Sequence, residues 1–393
     1  MKILTFTTLY PNAARPNHGI FVETRLRHLL ESRCVEARVV APVPWFPLES
    51  PRFGHYAAFA RAPQVEQRHG IEVMHPRYLS VPKIGMSMSP FLLAARAGSI
   101  LEGMVRRGFD FDVLDAHYFY PDGVAAAIIG RKLNKPVVIT ARGSDVNLLP
   151  QFAIPRKMIQ WAARRAAALV TVSAALKKSL IQLGVESGKI SVLRNGVDTR
   201  VFRPVDREIH RTRMGLTGTV LLMVGNLVSL KGHELVLRAL QEFPDACLLI
   251  VGEGEERRAL ETLAGALQIQ HRVRFLGVMP HAQLAEVYGA ADALVLASSR
   301  EGWPNVLLEA MACGTPVVSS SVGGTPEIVT APEAGVLMTE RSVPGVAKAL
   351  RRLLHNYPDR ALTRKYAERF SWDDTTRGQL AVFENILQRR VGA

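Results

Sequence analysis

The chain has 393 residues, 48% of them hydrophobic, a formal net charge of +14 and three cysteines. That length exceeds one ordinary core and predicts two domains of about 150–200 residues, while no apolar run approaches the roughly 18–20 residues of a membrane-spanning helix, so a soluble protein is expected. The charge suits nucleic acid, an anionic membrane surface or anionic small molecules, without choosing among them. Cys34, Cys247 and Cys313 are widely spaced among apolar neighbours; they read as reduced core residues of a cytosolic protein, without metal-ligand spacing.

The opening MKILTFTTLYPN has one lysine, interrupting threonines and no small-residue cleavage site, and reads as a first strand rather than a signal peptide. A Pro/Asn/Gly-rich loop then yields to a helical pattern through Phe21, Val22, Leu26, Leu29 and Leu30. Gly19 stands at the junction, either as a plain turn glycine or because a missing side chain lets backbone N–H groups approach a phosphate. VEARVVAPVP is a second strand. After it, Trp45, Phe46, Phe53, Tyr56 and Phe59 crowd among prolines and arginines, as a surface loop or as a segment that touches lipid headgroups.

SPFLLAARAGSILEGMVRRG is an amphipathic helix, and the following FDFDVLDAHYFYPDGVAAAIIGRKL reads as strand, loop and helix. His117 falls at the carboxyl end of that strand, where open parallel sheets place ligands. NKPVVITARGSDVNLLP is the next strand and loop, ending in Arg142, Gly143, Ser144 and Asp145; IPRKMIQWAARRAAALVTVS is a helix with Arg156, Lys157, Arg164 and Arg165 around Trp161. That helix is a membrane-surface face or a solvated basic face. Asn195-Gly196 signals a turn and Pro204 a break, which divides the chain into 1–203, 204–372 and a final helix, 373–393.

Beyond residue 204 strands and helices alternate, which implies right-handed parallel crossovers and a doubly wound domain. VGEGEER lacks the third glycine of a dinucleotide site. The most informative stretch is 298–328. A continuous apolar run, ADALVLASS, predicts a buried parallel strand; a tight loop with Glu301 follows, and then a helical pattern carrying Glu309, seven residues lying between the two carboxylates. Asn305 as cap would aim the first-turn N–H groups at an anion. Glu309, one turn along, would suit two adjacent hydroxyls, such as those of a ribose beside a bound phosphate; an acidic helix start favouring its own dipole is the plain alternative.

Taken together, Glu301, Glu309, the passage Ala310 to Val318 and the turn Gly323 to Glu327 closely resemble the nucleotide-sugar motif of the retaining glycosyltransferases of family four. The resemblance implies an α/β GT-B fold: two Rossmann-like doubly wound domains facing a cleft, acceptor-side domain first and nucleotide-sugar domain second, the final helix packing back on the first. It implies transfer of a hexosyl unit from a nucleoside diphosphate sugar, with retention and no separate cofactor or metal. Asp110-Phe-Asp112 spells the Asp-x-Asp signature of metal-dependent glycosyltransferases of another fold, but it precedes its strand and has no further ligands.

Carried over residue by residue, the resemblance casts Gly19 and Lys231 at the donor phosphates, with Asn226 where the family has an arginine. It puts the backbone of Gly277 and Val278 at the nucleobase, Pro304, Asn305 and Val306 at the diphosphate, and Glu309 at the ribose. His117, Glu301, Gly302 and Trp303 would orient the sugar, with His117, Glu301 and Lys231 as the catalytic set. Arg142, Ser144 and Asp145 fall on the acceptor side, Arg142 replacing a histidine common in the family. A lipid-linked or growing polysaccharide acceptor of the cell envelope, at the cytosolic membrane face, accounts for the basic first half. A sugar-nucleotide epimerase shares the two-domain fold, and a basic nucleic-acid-binding protein would rest on charge alone, with no binding module to support it.

Overall fold

In a computed structural model the alternating pattern forms two units, one of Met1–Arg194 with Trp372–Ala393 and one of Asn195–Ser371. Residues 1–50, 52, 55–79 and 86–391 are described; Phe53 of the aromatic stretch lies outside them. Among the described residues no helix is long and apolar enough to cross a membrane.

The first unit contains β1 (Lys2–Phe6), β2 (Glu36–Val40), β3 (Val43–Pro44), β4 (Val65–Arg68), β5 (Ile71–Met74), β6 (Arg77–Tyr78), β7 (Val113–His117), β8 (Val137–Ala141), β9 (Ala168–Thr171) and β10 (Ile190–Val192). Eight of these make one sheet in the order β10-β9-β8-β7-β1-β2-β5-β4, and β3 with β6 forms a short separate ladder. All pairings in the large sheet are parallel except β4 with β5. β7 and β8 are buried along their whole length, as parallel strands covered on both faces must be.

Helix Ile20–Glu31 begins at Gly19, whose φ is +69°. A Cβ there would lie 2.3 Å from the Leu9 carbonyl oxygen, so only glycine fits. The helix buries Val22, Leu26 and Leu29 at helical spacing. Against this stripe lies helix Trp372–Val391, whose Phe383 is fully buried in the same core. Trp372 stacks on His28 with ring centroids 5.4 Å apart.

The second unit holds one six-stranded parallel sheet, β13-β12-β11-β14-β15-β16, from β11 (Thr219–Val224), β12 (Ala246–Val251), β13 (Val273–Gly277), β14 (Ala293–Leu296), β15 (Val317–Ser320) and β16 (Gly335–Met338). Leu221, Leu248, Ile250 and Val295 form its core with Val236 and Leu237 of helix His233–Ala239 and Leu350 of helix Val343–His355.

Three expectations are corrected. The helix expected over 154–173 ends at Arg165, and its tail is β9; a short apolar run has no periodicity that separates a buried strand from a helix. Asn305 is the first helical residue, not the cap, which is Pro304; the Asn305 side-chain Oδ1 instead accepts from the Asn195 side-chain Nδ2 at 3.1 Å. The units divide after Arg194 rather than after residue 203, because residues 195–202 are tied into the second unit. The Trp303 indole donates to the Asn195 carbonyl at 3.0 Å, Val197 N–H donates to Phe370 O at 2.9 Å, and Phe202 packs edge-on to Tyr288.

Emptying the Phe383 site removes a fully buried ring from the contact between the first and last helices of unit one. Phe383→Ala should lower that unit's stability by about 3–5 kcal/mol, seen as an earlier denaturant midpoint by circular dichroism; an unchanged midpoint would mean that the last helix adds nothing to the core.

Candidate active site

Each large sheet has one place where its strand order reverses, between β1 and β7 in the first and between β11 and β14 in the second. Connections leave neighbouring strands in opposite directions there, opening a crevice beyond the carboxyl ends. The sequence-selected residues stand at these points: Gly19 in the loop after β1, His117 at the end of β7, Lys231 after β11 and Glu301 after β14.

In the second unit Lys231 closes a 3₁₀ turn, Ser229–Lys231, and its ammonium donates to Glu301 Oε1 at 2.6 Å. The bond uses one of three ammonium donors. Gly232 follows at φ +70°, and a Cβ there would strike the Ala297 carbonyl at 2.2 Å; the two loops are therefore pressed together. Behind Glu301, Gly323 sits so close that a Cβ would lie 1.9 Å from the Glu301 carbonyl. The Gly-Gly turn is thus a backstop for the Glu301 loop. Gly302, Trp303 and Pro304 are buried, while Asn305 and Val306 are half-buried at the start of helix Asn305–Ala312. The first-turn amides of such a helix lack helical acceptors and present positive charge.

Glu309 is gripped from below. Tyr288 Oη donates to its Oε2 at 2.8 Å and His281 Nε2 meets Oε1 at 3.1 Å. Burial raises the Tyr288 phenol well above its ordinary value, and Glu309 raises it further. For His281 burial works downward, but the hydrogen bond and charge of Glu309 outweigh it, so its pKa is raised. Asn226 is exposed in the loop after β11. Gly277, at φ +69°, already accepts the Gly252 N–H through its carbonyl at 2.8 Å, and Val278 beside it is exposed.

In the first unit the picture departs from expectation. His117 is buried, its Nε2 3.2 Å from Asp115 Oδ2 and its Nδ1 2.6 Å from Arg142 Nη2. Arginine can only donate, so Nδ1 accepts and Nε2 carries the proton. Both nitrogens are engaged, and the ring offers no free atom for direct contact with a sugar. Burial, reinforced by Arg142, pushes its pKa down to about 4 against the pull of Asp115. Asp115 also accepts from Gln379 of the last helix at 2.9 Å, and Arg25 donates to Gln379 at 2.7 Å.

The acceptor-side expectation divides in the same way. Asp145 is fully buried and accepts the backbone N–H groups of Phe119, Arg142 and Gly143 at 2.7–3.1 Å. A carboxylate so saturated clamps the loop rather than meeting an acceptor. Ser144 shares a 2.6 Å hydrogen bond with Tyr118 Oη, and Arg142 lies over the Phe21 ring. Asp112 accepts the Lys2 backbone N–H and Asp110 pairs with Lys135, so the Asp-x-Asp letters do structural work.

Sequence reasoning missed His281, Tyr288, Asp115, Arg25 and Gln379. Asp115 was within reach, because residues two apart on a strand share a face. Tyr288 and His281 gave no local signal.

The family model described as glycosyl transferases group 1 matches residues 206–370, and that of glycosyltransferase family 4 matches residues 24–201. The chain is 32% identical over 366 residues, 90% of each chain, to the putative teichuronic acid biosynthesis glycosyltransferase TuaC of Bacillus subtilis (strain 168). It is 34% identical over 331 residues, 77% of this chain and 73% of the relative, to a D-inositol 3-phosphate glycosyltransferase of Acidothermus cellulolyticus. Among solved structures, Anabaena HepE in complex with UDP and glucose superposes with a TM-score of 0.75 at 20% identity, over 98% of this chain and 100% of that one. Sucrose-phosphate synthase from Thermosynechococcus elongatus gives a TM-score of 0.75 at 20% identity, over 100% and 97%.

The depressed His117 makes a pH prediction with a definite sign. Its folded pKa, about 4, lies below the unfolded value near 6.5, so between these values the unfolded state binds the extra proton and stability rises with pH. The contribution is complete above about 6.5 and is lost as pH falls toward 4, at up to about 1.4 kcal/mol per pH unit. Subtracting the profile of His117→Asn from that of the parent should isolate this rise. Parallel profiles would contradict it.

Proposed function

Because the chain belongs to the group 1 and family 4 glycosyltransferases and has their GT-B type of fold, we propose that it moves a hexosyl unit from a nucleoside diphosphate sugar, with retention, to a lipid-linked or polysaccharide acceptor of the cell envelope. The observation that carries this reading is the second unit's switch point. There a lysine–glutamate pair, a helix N-terminus and a fixed carboxylate one helical turn further in gather at the carboxyl edge of a parallel sheet.

As the bond from the anomeric carbon to the diphosphate breaks, negative charge grows on the departing phosphate. Lys231 and the first-turn amides at Asn305 and Val306 stabilise it, fixed in place before the reaction. Glu301 holds Lys231 at its post and, with the backbone of Gly302 and Trp303, orients the sugar. Glu309 accepts from the ribose hydroxyls, and Val278 and the Gly277 backbone border the base. The acceptor hydroxyl oxygen bonds the anomeric carbon on the face that the diphosphate leaves, and its proton passes to the departing phosphate oxygen. Within the first unit, Gly19 opens helix Ile20–Glu31 in the loop after β1, and His117, with both nitrogens engaged, supports the end of β7.

Proton NMR of the product's anomeric configuration tests the reaction. Retention is expected after thermal-shift screening has chosen the donor, since a ligand bound only by the native state raises the melting temperature. Inversion at the anomeric carbon would reject retention, and an inverted ring centre in donor incubated alone would indicate an epimerase. Glu309→Ala should weaken nucleoside diphosphate binding by calorimetry, on the order of tenfold or more for the loss of charged hydrogen bonds.

The envelope acceptor is supported by the first unit's surface. Trp45, Leu79, Met88, Phe91, Phe152 and Ile154 are each about half exposed or more, and all lie on segments that follow the carboxyl ends of strands. Helix Ala153–Arg165 buries Ile159, Ala162 and Ala163 and exposes Arg156, Lys157, Arg164 and Arg165. Each such cation near an anionic leaflet contributes about 1 kcal/mol, enough together for reversible attachment at the cytosolic face. Vesicle co-sedimentation should favour anionic over neutral lipid and weaken at high salt; equal recovery on both lipids would remove the electrostatic argument.

A further inference from the structure

We infer that Tyr288 and His281 are positioning residues for the Glu309 carboxylate, and that together they set how strongly the site prefers a ribose with both hydroxyls over a deoxyribose. The inference rests on the reading of Glu309 as the ribose-binding carboxylate and goes beyond it to two residues on a different element.

An ionised carboxylate has about four lone-pair directions, two on each oxygen. Tyr288 occupies one on Oε2 and His281 one on Oε1. A group held at both oxygens cannot turn about its terminal bond. Each oxygen keeps capacity for a further donor, so the carboxylate can accept from two adjacent hydroxyls. An unheld glutamate would spend binding energy on losing its rotamers when the ligand arrives; here that ordering is already done by the fold.

The two holders are themselves rigid. Tyr288 is fully buried in helix Leu284–Ala290, and its carbonyl accepts the Thr315 hydroxyl at 2.6 Å. His281 stands in the turn just before that helix. Phe202 meets both rings edge-on, with centroids 4.9 Å from His281 and 5.9 Å from Tyr288. One aromatic residue thereby packs against both donors. The Glu309 side chain retains 11% exposure, so it is not sealed off by them.

A purely structural tyrosine would satisfy a buried carboxylate and do nothing else. The two roles separate in a cycle that varies protein and ligand together. Calorimetry on the full chain would compare UDP, ADP and GDP, and then the tightest of the three with its 2′-deoxy and 2′,3′-dideoxy analogues. The parent should prefer the ribonucleotide by a factor on the order of ten, and Glu309→Gln should abolish the preference. Tyr288→Phe and His281→Ala should each shrink it severalfold while leaving dideoxy binding unchanged, and His281→Gln, which keeps a donor near Nε2, should restore it. An undiminished preference in both Tyr288→Phe and His281→Ala overturns the inference. Absence of any preference in the parent, or of binding by all three nucleotides, instead removes the underlying assignment of Glu309. If Tyr288→Phe does not fold, the variants at His281, whose side chain is partly exposed, decide alone.

Discussion

A parallel sheet cannot place two neighbouring strands side by side without a long crossover, and where the direction of crossing reverses the connecting chains must part. That constraint creates the site in the second unit. β11 and β14 are hydrogen-bonded neighbours although about 70 residues separate them. The loops that leave them carry Lys231 and Glu301, and pairing of the strands makes pairing of the side chains possible. The glycines at 232 and 323 are there because backbone presses on backbone at this edge; the chemistry of the site is laid over a steric solution.

Much of this was legible in the sequence, because the informative residues are local. Strand, loop and helix around Glu301 and Glu309 follow from an apolar run, a Trp-Pro-Asn turn and a helical pattern within thirty residues. What escaped depends on contacts between distant segments. Asn305 has the chemistry of a cap, yet Pro304 takes the position and Asn195 takes the side chain. The run Ala166 to Thr171 has four helix-forming residues and only two β-branched ones, and its pairing with β8 and β10 overrides that local preference. Tyr288 looks like any apolar position of a buried helix, since its ring serves the core while its hydroxyl alone reaches Glu309.

The first unit shows how a sequence-plausible ligand residue becomes an internal one. His117 ends a strand at the switch point, where a ligand histidine would be sought. Asp115 on the same strand face and Arg142 on the next loop enclose it, and Gln379 and Arg25 extend this into a buried polar chain in which Asp115 Oδ1 and Arg25 Nη2 stay without a hydrogen bond. Such a chain is costly unless every member finds a partner. Its stability therefore depends on the last helix supplying one amide group.

That dependence has a consequence for how the protein is made. The second unit is an insertion: the chain leaves the first unit at residue 194 and returns to it at 372. During synthesis the second unit has all its residues before the first does. The early sheet stays unfinished, with the seat of Phe383 uncovered and Asp115 lacking its amide donor, until the residues of helix Trp372–Val391 have been made. Order of synthesis and order of completion are thus reversed, and a chain cut short just after residue 371 would hold every residue of the second unit and an incomplete first unit.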